Sequence, residues 1–136
     1  MLRTLQELTE CYAYCFPGFG HLADVRFVVH PLAAEHLDTM CDVGSDVNTL
    51  KEKFSDERID WSIVEAMAAN GAEWWYRPTG VPSNPPPGEL LPLKEPKDAV
   101  MRRIEAFKAD LLAQDDACLV VVGHSSFFRA MVMPQF

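Results

Sequence analysis

The fold turns on one stretch near the end of the 136-residue chain, Cys118-Leu119-Val120-Val121-Val122-Gly123-His124-Ser125-Ser126-Phe127-Phe128-Arg129. Apolar, mostly β-branched residues stop at Gly-His-Ser-Ser, and an apolar pattern at helical spacing follows. This reads as a buried strand over 117–123, a tight turn and the first turn of a helix. His124 then stands where the carboxyl end of a strand meets the amino end of a helix. In open α/β sheets, ligands bind at that edge. The free N–H groups and the positive dipole end of a helix favour an anion there. An imidazole in such a place points to phosphate chemistry. The plainer alternative is a histidine that only caps or packs.

Working outward, residues 97–113 form the clearest helical pattern. Val100, Ile104, Phe107 and Leu111 share one face, with Arg102, Arg103, Glu105 and Lys108 mostly outside. Residues 24–30 read as a strand closed by Pro31. The stretch 31–44 carries Glu35, His36, Asp38 and Asp42 and reads as a functional or connecting loop. Ser45 is the expected cap of a helix over 46–54 that turns Val47, Leu50 and Phe54 to one side. A short helix around 62–70 ends at Asn70-Gly71. Leu2, Leu5, Leu8, Tyr12 and Cys15 recur at helical spacing, so residues 2 to about 15 are expected to be helical. His21 reads as a loop residue. Trp74-Trp75 is expected to bury a loop against the core. Seven prolines in residues 77–96 exclude regular structure there.

Only 24–30 and 117–123 read as strands. Both have the composition of central parallel strands covered by helices. They are expected to run parallel, adjacent or one strand apart, and so to carry Glu35 and His124 to the same edge. Sheets of this class usually have about four to six strands, so a pairing strand is missing from the count.

Composition narrows the function. About half of the residues are apolar and a quarter are charged, ordinary values for a globular domain. A formal net charge of −8 argues against nucleic-acid binding, which needs Lys and Arg for phosphate contacts, but leaves room for a small phosphorylated ligand in a locally positive pocket. No apolar run reaches membrane-spanning length, and the amino terminus lacks a signal-peptide pattern, so a cytoplasmic protein with no membrane contact is expected. The four cysteines, Cys11, Cys15, Cys41 and Cys118, form no CxxC pair and read as reduced thiols, with Cys118 in the buried strand. His30, Glu35 and His36 do not have metal-site spacing. His-x4-Glu-His differs from the helical His-x2-Glu-His pattern, and Pro31 breaks any helix; no metal or other cofactor is expected.

Four pieces in order resemble the histidine phosphatase superfamily, with its phosphoglycerate-mutase-like fold. Arg3-Thr4-Leu5-Gln6 resembles the family's Arg-x-x-Gln, whose Arg grips phosphate. Pro31-Leu32-Ala33-Ala34-Glu35, directly after a strand, resembles the loop carrying the proton-donating Glu. Glu95 with Arg103 resembles the start of the long helix after the family's insertion. Val121 to Phe127 resembles the motif carrying the second catalytic His. Asp42-Val43-Gly44 and the Trp-rich middle are similar to a eukaryotic subgroup. The resemblance implies a three-layer α/β/α fold with a mostly parallel sheet, spanning 1–136 as a single domain with an insertion over 45–96 that sets specificity.

The resemblance also implies phosphoryl transfer in two steps, with Glu35 and His124 catalytic and Arg3, His124 and Ser125 binding the substrate phosphate. No Arg-His-Gly, the family's nucleophile motif, occurs in the sequence, and Ser125-Ser126 stands where Gly-Gly is common. The expectation is therefore a truncated, inactive form whose first and last strands are missing. The alternative is a non-catalytic phosphate-binding or protein-interaction module derived from the family. The partner expected is phosphate or a small phosphorylated molecule, and two copies pairing as a homodimer would cover an open sheet.

Overall fold

The structure is a computed structural model that describes residues 25–39, 42–70, 72–77 and 94–133. Arg3, the helix expected over 2–15, Cys11, Cys15, His21, Cys41 and most of the proline-rich loop lie outside those residues. The described elements are helices around a small parallel sheet, an α/β arrangement in the loose sense. Strand β1 is Phe27–Val28 and strand β2 is Ile59–Asp60, paired Phe27 to Ile59 and Val28 to Asp60. Between them lie a 3-10 turn, Pro31–Ala33, and helix α1, Val47–Lys53. Helix α2 is Ser62–Ala69, α3 is Lys97–Leu112 and α4 is Ser125–Val132. No helix among the described residues is long and apolar enough to cross a membrane.

Strand β2 is delivered by a local turn. The Asp56 carboxylate accepts from Arg58 N and Nε, and the Arg58 carbonyl in turn accepts from Phe27 N at 3.3 Å. The Arg58 side-chain bond, reinforced by its backbone N–H, holds the exposed Asp56 carboxyl at about 2. Val29 N then donates to Asp60 O at 3.0 Å. Two residues on each side suffice because Val29, Ile59, Trp61 and Val64 close into a core beneath them, flanked by Val47, Leu50 and Phe54 of the α1 region. The expected face of α1 is therefore the face that packs. Its cap is one residue later than expected. Asp46, not Ser45, accepts from Asn48 N and Thr49 N, because a carboxylate is the stronger acceptor for the free amides and suits the positive helix end.

The strand expected over 117–123 does not form. The chain there is unassigned from residue 118 to 124, and Leu119, Val120 and Val122 are 43–48% exposed. β1 takes Ile59–Asp60 as its partner instead, and no described strand pairs with 118–122. Among the described residues this run has no ladder and no second covering layer, and apolar composition alone does not bury a segment. Cys118, expected inside, is exposed for the same reason. The strand expected over 24–30 shortens to its central pair, within a parallel sheet of order β1-β2.

Helix α3 follows its sequence pattern closely, with Val100, Ile104 and Phe107 buried. They pack with Ala33 of the 3-10 turn and Phe127 of α4 into the main core. Phe127 meets Phe107 edge-on at 5.7 Å between ring centres, a preferred aromatic geometry. Arg103 departs from the pattern. It lies three residues after Val100 and one before Ile104, on the inward stripe, and its side chain is only 13% exposed. Trp75 is buried against Leu37, as expected of the tryptophan pair, while Trp74 Nε1 donates to Ser45 O at 2.8 Å. Gly44 is obligatory beside it, because a Cβ at that position would collide with the Trp75 indole.

Candidate functional site

Glu35 leaves a turn that its own sequence enforces. His30 precedes a proline and so takes extended backbone, φ −105° and ψ 110°. Pro31, at the first position of the 3-10 turn, has no N–H to satisfy. Ala33 N donates to His30 O and Ala34 N to Pro31 O, both at 3.1 Å. Arg103 then fixes the turn to α3. Its Nη1 donates to Leu32 O at 2.8 Å and Ala34 O at 2.6 Å, while Nε and Nη2 pair with the Glu95 carboxylate at 3.2 and 2.8 Å. Glu95 is buried, and its backbone N–H donates to Leu37 O at 2.8 Å. The guanidinium also lies over the Phe127 ring, 5.5 Å from its centre. One planar fork thus joins the Glu35 loop to α3 and to the first turn of α4.

His124 caps α4 with extended backbone, φ −89° and ψ 146°, and its side chain makes no capping bond to the helix. Its Nδ1 lies 3.4 Å from Glu35 Oε2, an ion-pair contact when the imidazole is protonated. Ser126 Oγ donates a short hydrogen bond to the same oxygen. On the other side, Glu35 Oε1 accepts from His36 N at 2.8 Å and faces His36 Nδ1 at 2.9 Å. The Glu35 side chain is 13% exposed and that of His124 41%, so the carboxylate sits at the floor and the imidazole at the mouth. A methyl group at position 123 would press on the Phe128 ring at 3.3 Å and would meet Ala33 O only at ordinary contact distance, 3.7 Å.

The structure thus brings together Glu35 and His124, two of the residues singled out in the sequence. Ser125 opens α4 and is exposed, whereas the hydroxyl that reaches Glu35 belongs to Ser126. Arg3 lies outside the described residues. The sequence marks His36 only as a member of the 31–44 loop and of a set without metal-site spacing, and marks Arg103 as mostly outward on its helix, apart from its place with Glu95 in the family resemblance. The signal for Arg103 was present, since a charge at the i+3 place of an apolar stripe needs a buried partner. Among the described residues, no group of three or more His, Cys, Asp and Glu side chains is arranged to hold a metal ion.

The arrangement can carry acid–base chemistry beside an anion. A carboxyl group, a hydroxyl and an imidazole converge at the amino end of an eight-residue helix whose dipole favours negative charge. The broad open depression along α3, lined by Lys97, Asp98, Met101, Arg102 and Glu105, contains none of these groups, and an Arg102–Asp98 pair at 2.6 Å spans part of it. No protein-family model, no curated protein and no solved structure matches this chain.

Proposed function

We propose that this chain is a phosphoglycerate-mutase-like histidine phosphatase in sequence and fold, with the Glu35–His124 corner as the phosphate end of its site. The observation that carries the reading is the shared oxygen, Glu35 Oε2, which lies between Ser126 Oγ and His124 Nδ1. These groups come from opposite ends of the described chain, in the two segments that resemble the family's acid loop and second-histidine motif. The three-layer α/β/α architecture belongs to the same reading. In it, Glu35 protonates the leaving ester oxygen. His124, Arg3 and the free N–H groups at the start of α4, Ser125 included, hold the phosphate oxygens.

The 136 residues include no Arg-His-Gly, so the polypeptide they form binds a phosphoester without taking its phosphoryl group. The test is incubation with a radiolabelled phosphoester followed by a denaturing quench. No acid-labile phosphohistidine is expected, while vanadate binds the wild type and not His124→Ala. Phosphohistidine on His124, or vanadate binding indifferent to that substitution, overturns the reading.

A non-catalytic interaction module is the second reading, favoured by the exposed Leu119, Val120 and Val122. An exposed apolar segment of this kind suits burial against a second copy. Analytical ultracentrifugation distinguishes the two: self-association lost in Val120→Lys supports the module, and a monomer at all concentrations removes it.

A further inference from the structure

We propose that His36 is the positioning residue of Glu35, holding Oε1 as a permanent acceptor so that Oε2 is the oxygen that carries and releases the proton. The inference rests on the phosphoester reading above and adds to it a residue that the family resemblance does not assign. Both groups against Oε1 are nitrogens of His36, its backbone N at 2.8 Å and Nδ1 at 2.9 Å. An amide N–H cannot accept, so a proton on Oε1 would confront a donor with a donor. Against Oε2 stand Ser126 Oγ, a hydroxyl that turns from donor to acceptor at no cost in partners, and at 3.4 Å His124 Nδ1, which a neutral ring leaves free to accept when its hydrogen is on Nε2. Protonated Glu35 therefore carries its hydrogen on Oε2, beside His124, where the ligand's oxygens would lie.

These 136 residues hold no Arg-His-Gly nucleophile to bond to phosphorus, so in their complex with a phosphoester the Oε2–H only donates a hydrogen bond to the ester oxygen. Where a nucleophile does bond to phosphorus as the bond to the leaving oxygen breaks, that oxygen takes the Oε2 proton and the O–H electron pair stays on the carboxylate. The new charge is shared with Oε1, where the His36 donors already point, so nothing need reorganise. His36 must present Nδ1–H to do this, with Nε2 left toward solvent; its side chain is 28% exposed. Among the described residues, the charged groups facing His36 are Glu35 and Asp42. Burial pushes the Asp42 carboxyl up, and hydrogen bonds from Thr39 and Asp38 N–H, with the His36 charge, outweigh it and hold the carboxyl below its usual range.

The experiment uses sulfate, which keeps its double charge through neutral and mildly acidic pH, so that every change belongs to the protein. Binding is followed by the His124 imidazole signal in His36→Phe and His36→Asn, each alone and with Glu35→Gln, and the wild-type His36 tautomer is read from imidazole nitrogen shifts. Asn carries a donor near the place of Nδ1. We expect His36→Phe to weaken sulfate about fivefold, close to 1 kcal/mol, and His36→Asn to bind within about twofold of wild type. In the Glu35→Gln background the Phe substitution should change nothing, and wild-type His36 should be Nδ1-protonated.

A His124 signal silent to sulfate in the wild type overturns both this proposal and the phosphoester reading. A responsive His124 with unchanged affinity in His36→Phe overturns the role of His36 alone, as does His36→Asn behaving like His36→Phe. Should the Phe variant not fold, the Asn variant and the tautomer decide: wild-type affinity with Nδ1–H supports the proposal, and an Nε2–H tautomer overturns it.

Discussion

Arg103 makes four hydrogen bonds with one guanidinium, two to the buried Glu95 carboxylate and two to carbonyls of the turn before Glu35. Removing it strands a carboxylate whose side chain is only 2% exposed. Arg103→Met is therefore expected to cost about 3–5 kcal/mol in urea unfolding, and Glu95→Leu/Arg103→Met together less than Arg103→Met alone. Additive losses would mean that the pair is not the joint. Lys cannot reproduce the fork, so Arg103→Lys should loosen Glu35 as well, seen as a weaker phosphate response at His124.

His30 is a pH-sensitive residue of the fold. Burial lowers its pKa, partly opposed by Asp110 3.5 Å from Nε2, and its buried Nδ1 has no hydrogen-bond partner among the described residues. The folded state thus prefers the neutral ring. Unfolded histidine titrates near ~6.5. As pH falls through that value the unfolded chain takes the proton first, and stability drops until the folded ring titrates too. Urea midpoints at neutral and mildly acidic pH should fall more for wild type than for His30→Leu. Equal falls would remove His30 as the cause.

Glu35 and His124 were legible because each follows the end of an apolar run marked by a turn residue, Pro31 and Gly123. Arg103 was not, because charges on an amphipathic helix are read outward by default, and only the burial of its partner Glu95 turns this one inward.

Among the elements, α3 shows why the helices could be read and the strands could not. Sixteen residues, Lys97–Leu112, give a periodic stripe whose buried members are Val100, Ile104 and Phe107. β2 has two residues and no period to detect. The run 118–122 has strand composition, but composition does not reveal whether a partner strand is present. This difference can be measured. Val120→Lys should change stability by less than about 0.5 kcal/mol, as at an exposed site, where a buried central strand would lose several. Phe127, 0% exposed between Phe107 and Phe128, sets the opposite scale. Phe127→Ala should cost about 3–5 kcal/mol. Gly44→Ala, which drives a methyl into Trp75, should cost about 1–3 kcal/mol. A neutral result there would mean that the 42–45 segment does not lie on the indole.

At the scale of the whole molecule, a chain of net charge −8 is proposed to bind an anion. Distant carboxylates act through solvent and are screened within about 10 Å at 0.1 M salt. The imidazole and the start of α4 act at contact. The local terms therefore decide binding, and with so few donors at the site the expected affinity is in the millimolar range, on the order of −4 kcal/mol. The most direct measurement is a titration of the protein with inorganic phosphate at physiological salt, following every histidine imidazole by NMR. Saturable movement of His124 at millimolar phosphate is expected, with a smaller response from His36 and a weakening of both in Arg103→Lys. A static His124 while another site saturates would contradict it.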